Sequence, residues 1–152
     1  MDITQLIQQN LPYILSIILM LFMFKNQILS QVYKLETIST DHAFHVFKEE
    51  TINSMFLDVR TDWEVERDPK INKSKFIPLS ELSGRIHEIK NQGGVEKKIV
   101  LVCRTGSRAR AAGIKLKRAG FSDVHVMKGG IMSWQRADYP VTIPKTKNTN
   151  FG

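Results

Sequence analysis

Cysteine is nearly absent: Cys103 is the only one in 152 residues. An internal disulfide and a CxxC redox pair are both excluded, and no zinc-type spacing is present. Charge is missing from the start of the chain. Before Lys25 the only charged side chain is Asp2, and all 22 Lys and Arg lie from Lys25 onward. The excess of basic residues is not interleaved with aromatic ones, which argues against a nucleic-acid partner. It reads as a solvated surface that aids solubility, with contact to anionic lipid as the other reading. Histidine is scarce and scattered. His42 and His45 stand three apart on a predicted helix, with no carboxylate or cysteine to join them. His87 and His125 read as ordinary helix and strand residues. No metal and no cofactor is implied, and no internal repeat is found.

What is present begins with an uncharged run from Leu11 to Phe24, extendable through Ile3, Leu6 and Ile7 upstream or Ile28 and Leu29 downstream. A helix that spans a bilayer needs roughly 17–25 such residues. Lys25 is placed to snorkel to the interface, Tyr13 suits the headgroup belt, and Pro12 suits a first turn. A signal peptide lacks its positive n-region and small-residue cleavage site here. A buried core helix would need a further layer around its whole circumference. The run is read as a single transmembrane helix. The positive charge on its C-terminal side places the body of the protein in the cytoplasm, a reducing compartment that agrees with one free thiol. Residues 1–31 are therefore expected to be anchor and linker, 32–141 a folded domain, and 142–152 a polar flexible tail.

Within the domain, apolar runs and turn signals alternate. Gln31 to Glu36 reads as a short strand with Val32, Tyr33 and Leu35 entering a sheet. Ser39 or Thr40 caps a helix with Ala43, Phe44, Val46 and Phe47. Met55 to Val59 is a buried-type strand, and Thr61 with Glu64 has capping-box spacing. Phe76-Ile77 makes a brief strand before Pro78, and Ser80 caps a helix carrying Leu82, Ile86 and Ile89. Asn91 to Gly94 breaks it. Lys98 to Val102 is a strand, Ala109, Ala112, Gly113 and Leu116 recur at helical spacing up to Gly120, and Val124 to Met127 is a strand. Gly129-Gly130 leads into a short helix with Met132 and Trp134. The alternation predicts an α/β fold, a roughly five-stranded parallel sheet with helices on both faces. Its ligand edge is the C-terminal one.

Cys103-Arg104-Thr105-Gly106-Ser107-Arg108 lies at that edge, between a strand and a helix. Such a loop aims several backbone N–H groups at one anion. The thiolate is the nucleophilic form of cysteine, and the N–H groups with two arginines favour it. Asp58 and Arg60 follow a strand at the same edge and read as a brace, with Arg60 paired to Glu64. Trp63 and Trp134 read as core or rim. Asn72-Lys73-Ser74 matches a glycosylation sequon, which carries no meaning on a cytoplasmic face.

Four signatures in order make residues 32–141 resemble a single-domain rhodanese. They are Leu57-Asp58-Val59-Arg60 with Glu64-Val65; Ile77-Pro78-Leu79 with Glu81-Leu82; the six-residue loop Cys103 to Arg108 with Ala111-Ala112, Leu116 and Ala119-Gly120-Phe121; and Val124 to Met127 leading to Gly129-Gly130-Ile131-Met132-Ser133-Trp134 and Tyr139-Pro140-Val141. One departure stands out. Where the family shows a Gly-His-Ile turn, this chain has Pro69-Lys70-Ile71, keeping the isoleucine only.

The resemblance implies a sulfurtransferase. Cys103 would take a sulfane sulfur from an anionic donor such as thiosulfate, hold it as a persulfide, and pass it to an external thiol, cyanide or protein acceptor. Arg104, Thr105, Gly106, Ser107 and Arg108 would bind the anion, with Asp58 and Arg60 in support. Two other readings compete. Phosphatases and arsenate reductases on related architecture use a Cys-x5-Arg loop one residue longer, and here Ala109 occupies that arginine's position. A catalytically weak binding module recruited to a membrane partner is the third.

Overall fold

A computed structural model of the chain describes residues 2–49 and 53–144. The elements run α1 (Ile3–Val32), β1 (Glu36–Ile38), α2 (Thr40–Lys48), β2 (Ser54–Asp58), α3 (Asp62–Arg67), β3 (Lys70–Ile71), β4 (Lys75–Phe76), α4 (Leu82–Lys90), β5 (Lys98–Val102), α5 (Ser107–Arg118), β6 (Val124–Met127), α6 (Gly130–Arg136) and β7 (Val141–Thr142). Five strands form one parallel sheet in the order β1-β6-β5-β2-β4. β3 and β7 make a separate antiparallel ribbon.

The period-2 alternation of the central strand builds two cores. Ile99 and Leu101 of β5 face Leu57, Ala109, Ala112, Leu116 and Phe121 on one side. Val100 and Val102 face Ala43, Phe56, Ile131 and Trp134 on the other. Both faces of the sheet are covered, as an unbroken apolar strand requires. The small residues Ala109 and Ala112 let α5 lie close on the sheet, and Trp134 packs edge-on against Phe44, Phe47, Phe56 and Tyr139.

Helix starts follow the sequence in two places. Ser39 accepts a hydrogen bond from the His42 backbone N–H at the head of α2, and Thr61 with Glu64 forms the capping box of α3. Elsewhere the structure corrects the expectation. Gln31 to Glu36 is not a strand: α1 stays helical through Val32, Tyr33 caps it, and Lys34 turns the chain at a φ of 48°. Only from Glu36 does the chain reach a partner, opposite His125 of β6. Leu35 joins the core from outside the sheet. The helix thus crosses the expected boundary between residues 31 and 32. Pro12 lies well inside α1 rather than in its first turn, which leaves the Gln8 carbonyl without its helical donor. Ser80 does not cap α4; Glu81 stands at that position and pairs with Arg85 at 2.8 Å.

Pro69-Lys70-Ile71 keeps its place by other means. Ile71 is buried, Lys70 and Ile71 pair with Thr142 and Val141, and Lys73 turns the chain in the left-handed region. Thr142, expected in the tail, is therefore strand. Residues 145–152 of that tail lie outside the described residues.

α1 is long and apolar enough, over Ile3–Lys25, to cross a membrane, and no part of that segment is covered by protein. Its last turns lie along α5.

Candidate active site

β5 delivers Cys103 to the C-terminal edge of the sheet, and α5 begins four residues later. The side chain is buried. The Gly106 backbone N–H donates to Cys103 Sγ at 3.0 Å. Gly106 holds a φ of 114°, a conformation that a Cβ would strain. The first N–H groups of a helix have no intrahelical acceptor, so Ser107, Arg108 and Ala109 of α5 present donors at the mouth of the loop. The positive end of the helix dipole points there as well. Arg104, Thr105 and Ser107 are exposed on the rim.

A glycine joint backs the loop. The Ile131 N–H donates to the Cys103 carbonyl at 2.8 Å. A Cβ on Gly130 would collide with the backbone carbonyls of Cys103 and Arg104, and Gly130 has a φ of 57°. The α6 start therefore fixes the height of the loop from behind.

Beside the loop lie two arginine–carboxylate pairs. The Arg60 backbone N–H and Nε donate to Asp58 Oδ1 at 3.1 and 3.0 Å, and Arg60 Nη2 donates to Asp58 Oδ2 at 2.8 Å. Both side chains are essentially excluded from water. Arg60 Nη2 also donates to the Pro69 carbonyl at 3.0 Å. Arg60 is a brace, but its partner is Asp58 and not Glu64. Glu64 instead takes Arg108 of the cysteine loop, with Nη1 to Oε2 at 2.5 Å and Nη2 to Oε1 at 2.7 Å. The Arg108 guanidinium holds the Glu64 carboxyl down at about 2, with the Thr61 N–H and hydroxyl assisting against burial. Arg108 is in turn raised, chiefly by Glu64, with smaller help from the Cys103 and Asp58 charges.

The two loop arginines therefore differ. Arg108 is clamped in a bidentate pair. Arg104 is exposed and holds only a long, solvent-exposed ion pair with Asp68, Nη1 to Oδ2 at 3.9 Å, which an anion at the loop mouth can displace. The sequence offers Glu64 a capping role and a pairing with Arg60, but not its pairing with Arg108. Nothing in the linear order signals that residues 64 and 108, on two different helices, share one corner.

Among the described residues no group of three or more His, Cys, Asp or Glu is placed to hold a metal ion. A cleft of about 440 Å³ lined by Val46, Phe56 and Lys75 includes no residue of the cysteine loop.

The fold has counterparts among known proteins. A rhodanese-like domain model matches residues 45–137. A sulfurtransferase of Allochromatium vinosum is 27% identical over 96 residues, covering 63% of this chain and 85% of that protein. The thiosulfate sulfurtransferase GlpE of Pseudomonas syringae pv. syringae is 36% identical over 76 residues, covering 49% of this chain and 71% of that one. Among solved structures, a rhodanese-related protein of Thermoplasma volcanium superimposes with a TM-score of 0.58 at 30% identity, covering 70% of this chain and 97% of that one. With a family model matched over residues 45–137, more than half of its length, the chain belongs to the rhodanese-like domain family.

Proposed function

We propose that the protein is a membrane-anchored sulfurtransferase whose rhodanese-like domain lies in the cytoplasm and works through a Cys103 persulfide. The observation that carries this reading is the Cys103 sulfur under the Gly106 N–H, at a helix N-terminus with further donors to spare. In the first step the Cys103 thiolate attacks the outer sulfur of thiosulfate. The donor's S–S bond breaks, its electron pair leaves with sulfite, and Cys103 keeps the sulfur as a persulfide anion. In the second step an acceptor thiolate attacks that outer sulfur, and the electron pair returns to Cys103. The loop N–H groups stabilise negative charge in both steps, and splitting the transfer in two is ordinary nucleophilic catalysis.

Arg104 draws the anionic donor, Thr105 and Ser107 hydroxyls donate to its oxygens, and Arg108 holds the loop through Glu64. With a single cysteine, the acceptor must be external. A phosphatase reading is disfavoured because the position of that loop's arginine holds Ala109, which is fully buried. The relatives named as sulfurtransferases support the reaction class. The apolar Ile3–Lys25 segment supports the anchor, and the Lys and Arg residues that follow it support a cytoplasmic domain.

The test is intact-mass analysis of the detergent-purified protein after incubation with thiosulfate. One added sulfur atom, absent in Cys103→Ser, is the expected result. No added sulfur from thiosulfate or from a small persulfide would favour the binding-module reading.

A further inference from the structure

We propose that the cysteine loop faces the bilayer that α1 enters, and that its sulfur acceptor is a cysteine on the membrane-proximal segment of an integral membrane protein. The proposal rests on the anchor and sulfur-transfer readings above and goes beyond both.

α1 continues into the domain without a flexible linker, and its last turns lie along α5. At the far end of α5, Arg118 Nε donates to the Tyr33 hydroxyl at 3.0 Å, with the guanidinium also over the Tyr33 ring. Leu35, in the turn after α1, packs on Gly113. Near the start of α5, Arg110 lines a cleft with Gln27 and Gln31 of α1 and with Lys34, Leu35, Glu36 and Thr37 that follow it. With Tyr33 at Arg118 and Gln27 at the Arg110 cleft, going backward along α1 goes from the end of α5 toward its start. The two helices run in the same direction, and α1 leaves the domain past the N-terminus of α5. That is the edge that carries Cys103.

The heights agree. From the Tyr33–Arg118 contact, Lys25 stands about 12 Å back along α1 and Ser107 about 16 Å back along α5. Lys25 closes the apolar segment. The loop thus lies at the level where hydrocarbon gives way to headgroups, a layer about 5–8 Å deep on each side of a bilayer. The same edge carries Trp63, next to Glu64 in the first turn of α3. Its indole is 56% exposed, with Arg67 beside it. Tryptophan exposed at such a level is a common interfacial anchor.

This placement selects the partner. The Cys103 sulfur is buried at the bottom of its loop, so only a small anion or a slender chain can reach it. A small donor such as thiosulfate diffuses in from the side and needs no tether. A folded soluble protein cannot bring its own thiol between the loop and the lipid surface. A cysteine on a flexible segment just outside another protein's membrane span can. Confinement of both to one membrane supplies effective concentration. In the transfer, that cysteine loses its proton to water and its thiolate attacks the outer sulfur of the Cys103 persulfide. The Cys103 S–S bond breaks with its electron pair returning to Cys103, and the acceptor becomes the persulfide. No oxidant or reductant is consumed.

The experiment uses the full chain in phosphatidylcholine nanodiscs. In the first arm, some lipid carries a nitroxide on its headgroup, and Trp63→Phe assigns the signal. Quenching of Trp63 fluorescence, with the residual fluorescence of the Trp63→Phe protein little changed, is expected; equal and weak quenching of both would overturn the orientation. In the second arm, thiosulfate-loaded protein is offered two lipid-anchored peptides. One has its cysteine beside the anchor, and the other has it beyond a flexible spacer of about 20 residues, long enough to pass a domain about 30 Å across. Sulfur transfer to the short-tethered thiol within about threefold of the long-tethered one is expected. Transfer to the long tether alone would place the loop on the side away from the membrane. Transfer to cyanide but to neither peptide would remove the membrane acceptor and leave the sulfurtransferase reading standing. Failure of Cys103 to load at all would refute that reading, while the fluorescence arm still reports where the loop lies.

Discussion

Cys103 and its neighbours divide into groups that meet the substrate and groups that hold the loop, and mutation should separate the two. Cys103→Ser keeps the backbone nest and the buried volume, so its melting temperature should stay within a few degrees of the parent. It should take up no sulfur, because an alcohol is not ionised at neutral pH and does not hold a sulfane sulfur. Arg104 is exposed and unclamped, so Arg104→Ala should leave melting unchanged and raise KM for thiosulfate several-fold to tenfold, about 1.4 kcal/mol of lost stabilisation at most. Arg108→Ala should behave in the opposite way. It strands the buried Glu64 carboxylate, so unfolding free energy should fall by about 3 kcal/mol, with any rate loss following from a displaced loop. Steady-state kinetics alongside thermal melts of the two alanine variants distinguish these outcomes. Equal loss of stability in both would mean that the Glu64–Arg108 pair holds nothing.

Glu64 also gives a pH signature. Its carboxyl is held at about 2 in the folded chain, against an ordinary 4.5. The folded state therefore prefers the ionised form, and the resulting stability is fully present above about pH 4.5. It is lost as pH falls toward about 2, and amounts to roughly 3 kcal/mol at neutral pH. Urea unfolding across this acid range should show that decline in the parent and a flatter curve in Glu64→Gln. Parallel curves for the two proteins would show that other carboxylates govern acid unfolding. The Asp58–Arg60 brace was legible in the sequence as a brace because both residues follow one strand. Its pairing was not. Asp58 and Arg60 point to the same side of an extended chain, and Glu64 was already claimed by a helix on the far side of the loop.

At the scale of elements, what packs by local pattern could be read and what pairs across long separations could not. β5, β6, α2 and α5 announce themselves by apolar period and caps. The β3–β7 ribbon is two residues wide and joins Lys70 to Thr142, so no local period marks it. The junction of α1 and β1 is hidden in the sequence, because Gln31 to Glu36 alternates weakly, yet a strand also needs a neighbour, and β6 offers one only from Glu36. The Gly129-Gly130 turn was legible as a turn, while its role as the wall behind Cys103 depends on a contact between two loops. That wall makes a prediction. In Gly130→Ala the new Cβ meets the backbone carbonyls of Cys103 and Arg104, not a movable side chain, and the position has a positive φ. The chain must shift α6 or the loop. Loss of about 2 kcal/mol or more is expected, together with a fall in the rate of sulfur uptake well beyond that of Gly84→Ala, where a Cβ meets open space. Wild-type uptake by Gly130→Ala would mean the loop is positioned without α6.

For the whole molecule the question is whether the α1 seam belongs to the anchor or to the domain. Composition alone divides the chain near residue 31, but the physical division comes earlier. The segment Ile3–Lys25 is not buried in the protein, whereas Tyr33 bonds to Arg118 and Leu35 packs on Gly113. The seam on α5 is modest: one exposed hydrogen bond from Arg118 to Tyr33 and the Leu35 side chain on Gly113, the latter contributing about 1.5–3 kcal/mol. Two truncations should therefore differ. Removing residues 1–25 should release a soluble domain that melts close to the full chain in detergent, because the docked turns remain. Removing residues 1–35 should also give a soluble product, but one that has lost the Tyr33 and Leu35 contacts, exposes Gly113 and melts several degrees lower. The intact chain, with its apolar helix uncovered, should stay in the membrane fraction through carbonate extraction. Identical melting of the two truncated forms would show that α1 merely passes α5, and the fixed orientation on which the loop's approach to the bilayer depends would fall with it.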